Sequence, residues 1–149
     1  MATERKNKNP YSALNFTIEI NGAQVAAFQE VSGLDSENTP IEYREGADPM
    51  NTVRKLPGIE KYANLTCKRG ITGSTVLWDW RKEVRDGGTT FPPTRDVVIK
   101  LLDEKHTPVL KWKLTNAWCS KLAGPSLNAK GNEIAIETME LAYERLDIE

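Results

Sequence analysis

Hydrophobic and polar residues alternate from Leu14 onward, with Phe16, Ile18 and Ile20 on one side and Asn15, Thr17 and Glu19 on the other. Period two is the pattern of a half-buried strand. Asn21-Gly22 then supplies a two-residue hairpin turn, because both residues tolerate positive φ. Ala23 to Ser32 reads as the return strand, closed by Gly33, and a third strand is expected around Ile41 to Tyr43. From Arg44 to Glu60 no period is sustained, and Gly46, Pro49, Pro57 and Gly58 interrupt the stretch, so it reads as one long loop. Such loops inside compact domains are uncommon, and are usually either functional or disordered. Alternation resumes over Tyr62 to Arg69 and stops at Gly70.

One helix is expected after Ser74, a candidate N-cap. Leu77, Trp80 and Val84 form its apolar stripe and anchor it over an open edge or mouth of the β structure. Arg81, Lys82 and Arg85 suit its C-terminal dipole, and Gly87-Gly88 ends it. A second hairpin follows, with strands at Asp96–Leu102 and Val109–Trp118 and a short polar connection from Asp103 to Pro108. Leu110, Trp112 and Leu114 face inward in the second of these strands. The last strand runs from Glu133 to Leu146 and changes phase: Ile134 and Ile136 share one parity, and Met139, Leu141 and Tyr143 the other. A one-residue slip moves side chains to the opposite face, which predicts a bulge or bend near Thr138. Six or seven strands with one helix make the fold class mainly β: an antiparallel barrel or sandwich with one flanking α-helix.

Composition narrows the functions available. The 149 residues suit one domain, expected over residues 11–149 behind a flexible polar arm at 1–10. Lys and Arg total 20 against 21 Asp and Glu, without the basic excess of a dedicated nucleic-acid binder. The residues from Met1 to Tyr11 lack the apolar core of a signal peptide, and no apolar run reaches the length of a membrane helix. Synthesis in the cytoplasm and no membrane anchor are the expectations.

Chemistry finds little to work with. The one histidine, His106, lies in a polar turn, where a solvated side chain is the ordinary reading. Glycine-rich phosphate loops, a nucleophile elbow and calcium-loop carboxylates are all missing. Cys67 and Cys119 sit in expected strands and read as small buried side chains, better than as a disulfide or a metal pair. No catalytic residue, metal or cofactor is expected. The four tryptophans read mainly as packing residues, with Trp118 near a strand end the least settled.

Several segments in order carry a resemblance. They are Val31-Ser32-Gly33-Leu34, Ile41-Glu42-Tyr43-Arg44-Glu45-Gly46, Arg54-Lys55-Leu56-Pro57-Gly58, and Lys61-Tyr62 continuing to Lys68-Arg69-Gly70. Leu77-Trp78-Asp79-Trp80-Arg81, Leu102-Asp103-Glu104 and the run from Gly124 to Glu133 follow. Together they resemble the tail tube proteins of contractile phages and of phage-tail-like extracellular injection systems. Cys67, in place of an aliphatic residue, and the extra Pro92-Pro93 depart from that pattern.

The resemblance implies a self-assembling subunit. Six copies would form a ring, and rings would stack into a hollow tube within a contractile sheath, between a baseplate with its spike and a tube terminator. Cargo effector or DNA would pass through the lumen, and the particle would be a phage tail or an injection device that can be released from the cell. For that job Arg44, Glu45, Asp48, Met50, Arg54, Lys55, Leu56, Pro57 and Gly58 are the candidate contact loop between subunits. Charges of both signs from Glu42 to Lys61 would set its register, with Leu56 and Met50 as apolar anchors. Thr17, Glu19, Thr66, Lys68, Glu140 and Glu144 are the candidates for the lumen lining. A tube-initiating or baseplate paralogue and, from a different class, a monomeric ligand-binding barrel using Trp118 or Trp78 are the alternatives.

Overall fold

The computed structural model describes residues 9–24, 28–87 and 93–149. Most of the polar arm expected at 1–10 lies outside them. The elements are β1 (Phe16–Ile20), β2 (Ala23–Gln24), β3 (Glu30–Ser32), β4 (Ser36–Tyr43), β5 (Arg54–Tyr62), β6 (Leu65–Gly70), α1 (Val76–Asp86), β7 (Arg95–Leu102), β8 (Pro108–Ala123), β9 (Ile136–Ala142) and β10 (Arg145–Ile148).

Eight strands join in the order β2-β1-β7-β8-β9-β6-β3, with β10 also on β8, and all pairings are antiparallel. At 16 residues, β8 is long enough to serve two layers. Its first half lies between β7 and β10; its second half pairs with β9. Ile18, Ile20, Val97, Ile99 and Leu114 from the first layer share one core with Leu65, Cys67, Cys119, Met139 and Leu141 from the second. The result is a barrel-like sandwich with polar residues on both outer faces.

Local chemistry explains the corners. Asn21 and Gly22 have φ of 51° and 80°, as the β1–β2 hairpin requires. In β8, Asn116 at φ 53° is the extra residue where the register with β7 shifts between Arg95 and Val97. A small network fixes this corner: Asn21 N donates to Asp96 O (2.9 Å), and Asn116 Nδ2 donates to Glu144 Oε2 (2.9 Å).

The expected helix forms, with two adjustments. Thr75, not Ser74, is the N-cap, and it makes no side-chain capping bond. Gly87 closes the helix in the left-handed conformation at φ 65°; Gly88 lies outside the described residues. Leu77 and Trp80 are buried and Val84 packs against the core, so the anchoring stripe is as read from the sequence. Trp80 is held from two sides: Nε1 donates to Pro93 O (3.1 Å), and the Arg95 guanidinium lies 5.0 Å from its ring.

Three expectations need correction. The return strand after the hairpin does not run unbroken to Ser32: β2 pairs with β1, whereas β3 pairs with β6, and residues 25–27 lie outside the described set. The last strand bends later than Thr138, which pairs regularly with Lys68 and Ala123. No slip occurs within β9, whose register with β6 is unbroken from Ile136 to Leu141; the irregularities are the break at Tyr143–Glu144, between β9 and β10, and a bulge in the partner β8 between Cys119 and Lys121. Ile134 lies outside the strand altogether and is exposed. Finally, the long loop is shorter than expected, because its second part, from Arg54 to Glu60, is strand.

Candidate assembly surfaces

In place of an irregular stretch from Arg44 to Glu60, β4 and β5 form a two-stranded ribbon separate from the main sheet, leaving only residues 44–53 as its tip. Arg54, Lys55, Leu56, Pro57 and Gly58 are therefore strand residues. Their alternation is hidden in the sequence by a bulge: the register jumps between Asn38 and Pro40, and Gly58 sits at the jump. A Cβ on Gly58 would run into the backbone carbonyl of Thr39, so only glycine fits there. Pro40 and Pro57 are tolerated because they face each other in a ribbon with no third strand.

The ribbon has no core of its own. Every residue of β4 is exposed. Ile41 pairs with Leu56, and Tyr43 with Arg54, so Ile41, Tyr43 and Leu56 share one face; Glu42 and Lys55 pair on the other. Ile59, in the bulge, is 78% exposed, and Met50 and Val53 are exposed at the tip. The tip itself is ordered from within. Arg44 reaches Met50 O (3.4 Å), Asp48 O (3.5 Å) and Asn51 Oδ1 (3.4 Å), while Asp48 takes the Arg54 guanidinium at 3.3 Å. Tyr43 donates to Glu45 Oε1 at 3.3 Å. Arg44, Glu45, Asp48 and Arg54 thus shape the loop, and Glu42 and Lys55 form no ion pair among the described residues.

At its root the ribbon is tied to the sandwich. Tyr62 packs against Tyr143 with ring centroids 5.7 Å apart, and the Tyr143 hydroxyl donates to Gly33 O at 3.3 Å. Burial first, then the charge of Asp35 and the neighbouring Tyr62, hold the Tyr143 hydroxyl above the ordinary tyrosine range, so it remains a donor. Gly33 has φ 94°, and a Cβ there would strike Asn64 O.

The candidate lining residues fall on two faces. Thr17 and Glu19 lie on β1 in the first layer, beside Lys100, whose Nζ reaches Glu19 Oε1 at 2.7 Å. The register carries that face on to Lys111 and Lys113 of β8. Thr66 and Lys68 on β6 adjoin Glu140 of β9 on the outside of the second layer, where Lys68 meets Glu30 at 3.7 Å. The outer faces of two packed layers point away from one another. Glu144 belongs to neither, being bound to Asn116 at the corner.

Sequence reading missed a buried ion pair. Arg69 is 2% exposed, pairs with Glu137 on the adjacent strand, and donates through Nη2 to Ser74 O at 2.9 Å. It stitches β6 and β9 to the segment that enters α1. Its signal in the sequence was a charge on the inward parity of β6, beside Leu65 and Cys67. The two cysteines are buried free thiols. Burial first, with the neighbouring Cys119 adding to it, pushes Cys67 up to about 12, and burial pushes Cys119 to about 11. Among the described residues no His/Cys/Asp/Glu cluster could hold a metal, and no helix is long and apolar enough to cross a membrane.

Known proteins give these surfaces a context. The family model described as T4-like virus tail tube protein gp19 matches residues 12–147. No curated protein matches the sequence. In structure, the chain is similar to a protein of the extracellular contractile injection system PVC sheath-tube complex in its extended state. The TM-score is 0.81 at 26% identity, covering 99% of both chains. It is similar also to one from the anti-feeding prophage tube terminating cap, with a TM-score of 0.84 at 28% identity over 99% of this chain and 95% of that one. The fold extends further, to Hcp1 from Flavobacterium johnsoniae, with a TM-score of 0.57 at 14% identity, covering 89% of this chain and 93% of that one. With all but the chain ends inside the family model, this chain belongs to the T4-like virus tail tube protein gp19 family and is a structural tube subunit.

Proposed function

We propose that this subunit closes into six-membered rings that stack head to tail as the inner tube of a contractile injection particle. The observation that carries the reading is the β4–β5 ribbon. A two-stranded hairpin is marginal by itself in water, and this one exposes Ile41, Tyr43, Leu56 and Ile59. Another copy covering that face supplies the burial that the ribbon's own chain does not. At roughly 25 cal/mol per Å² of apolar surface, such contacts repeated around a ring sum to a firm join. A contact that does not return on itself produces a filament.

The role is structural, with no reaction catalysed. Relatives of known structure come from a sheath–tube complex, a terminating cap and a baseplate, and the corresponding partners here are a sheath, a terminator and a baseplate with its spike. In a wall two layers thick, one polar face lines the channel and the other turns outward. Thr17 and Glu19 belong to one, and Thr66, Lys68 and Glu140 to the other. Either lining is mixed in charge and free of a large apolar patch, so cargo effector or DNA slides without adhering. Synthesis in the bacterial cytoplasm and release within an extracellular particle complete the reading.

The test is a ribbon double variant, Arg54→Glu with Lys55→Glu. Arg54 contributes only a surface ion pair, worth about 0–1 kcal/mol, so the fold survives. Rings without tubes in electron micrographs are expected; tubes of normal length would refute the reading. A second reading, a tube-capping or tube-initiating paralogue, draws on the equal likeness to the terminating-cap protein. Copy number in purified particles separates them, since a tube subunit outnumbers a cap.

A further inference from the structure

The second layer has two dissimilar ends. At the Leu65 end of β6 the chain enters the ribbon, which continues the β3–β6 hairpin away from the sandwich. At the other end Gly70 pairs with Ile136, and Ile71 N donates to Ala135 O at 3.0 Å. There, loop 124–135 joins β8 to β9. The six residues of β6 separate these ends by about 20 Å.

Loop 124–135 is built and uncovered. Asn128 Oδ1 accepts from Lys130 N at 3.0 Å, and Asn128 O accepts from Gly131 N at 3.0 Å, which folds the loop over itself. Yet Leu127 is 84% and Ile134 81% exposed, with Ile71 exposed beside them. A cavity of about 220 Å³ opens in the loop, lined by Ser126, Leu127, Asn128, Gly131, Glu133 and Ala135. That exceeds the roughly 150 Å³ able to hold a benzene ring.

We infer that loop 124–135 is the receptor for the ribbon of the next copy along the tube, with Ile41 and Leu56 of that copy seated on Leu127 and Ile134. This rests on the reading of the ribbon as a contact between copies. A second copy of the chain is the occupant because the two surfaces lie at opposite ends of one layer, the arrangement that head-to-tail stacking needs. Both are apolar where they meet. Their charges also match in number: Glu42 and Lys55 on the ribbon, Lys130 and Glu133 on the loop, form no ion pair among the described residues. The orientation pairing each with its opposite fixes the rotation of one ring on the next.

The test is a cross-link in assembled tubes. Leu56→Cys carrying a benzophenone maleimide is mixed with an excess of unmodified chain, so that assembly does not depend on the labelled copies, and the photoproduct is mapped by peptide mass spectrometry. Attachment to residues 124–135 or to Ile71 of a second copy is expected. Attachment to a different segment of a second copy overturns the receptor assignment but leaves the ribbon as an inter-copy contact. Tubes without any inter-copy product, or a product on another particle protein, overturn both. If labelled Leu56 copies are excluded from tubes, the reciprocal probe at Leu127→Cys, expected to attach to the ribbon strands, distinguishes the same outcomes.

Discussion

Arg69 shows how one side chain sets the terms for its surroundings. A guanidinium with 2% exposure is tolerable only while Glu137 balances its charge, and its Nη1 remains buried without a partner. Removing the carboxylate alone, in Glu137→Ala, leaves that charge uncompensated and is expected to cost roughly 3–5 kcal/mol in urea unfolding. Arg69→Met combined with Glu137→Leu should recover most of the loss; a double variant as unstable as the single one would contradict this account. Gly33→Ala tests the ribbon root in the same way: the positive φ alone costs about 1–3 kcal/mol, and the clash with Asn64 O adds to it. The buried thiols make a pH prediction. Below pH 9 the folded and unfolded states both keep their protons. Above it, the unfolded chain releases the Cys67 proton near its ordinary value of 9.0 while the folded chain holds it to about 12. The folded state then binds more protons, so stability falls as pH rises from 9 toward 12. Iodoacetamide at pH 8 should label neither cysteine until the chain is unfolded.

Among the elements, the ribbon and α1 behave oppositely. The helix is an integral part of the core, since Leu77 and Trp80 are sealed against it. The ribbon adds little to the stability of an isolated copy, because its apolar face touches no core. Surface substitutions away from special features usually stay within about 0.5 kcal/mol, and a kcal/mol moves the melting point of a domain this size by only a few degrees. Leu56→Ser with Ile41→Ser is therefore expected to change the melting temperature of the single subunit by no more than about 2 °C while abolishing tubes under electron microscopy. A large drop in melting temperature would show instead that the ribbon packs on its own sandwich. Gly58→Ala should act similarly on assembly, through a ribbon bent away from its present path at Thr39.

On the scale of the whole molecule, the design is a sandwich with the ribbon at one end and an uncovered loop at the other. The sheet path is open, ending at β2 and β3, and such edges are free to pair with another chain. Polarity comes from the unlike ends. Replacing the tip, residues 44–53, by Asn-Gly shortens the arm without touching the core. The variant is expected to remain folded and to fail in tube extension, read by sedimentation and microscopy.

The local grammar of the chain was sufficient for β1 and its Asn21-Gly22 turn, the helix stripe, the β7–β8 hairpin and the burial of both cysteines, because each depends on neighbours within a few positions. The ordered segments resembling tail tube proteins pointed to the family in the same way. Three-dimensional packing decided the rest. Whether Glu30–Ser32 pairs with β1 or β6 is a question of distant partners. The β4–β5 pairing is masked by the bulge at Gly58 and two prolines, and its strands have no buried face to impose alternation. Which polar parity faces which side depends on the two layers turning their backs to each other, a relation that no stretch of sequence contains. Arg69 was legible only as an oddity until Glu137, 68 positions away, appeared beside it.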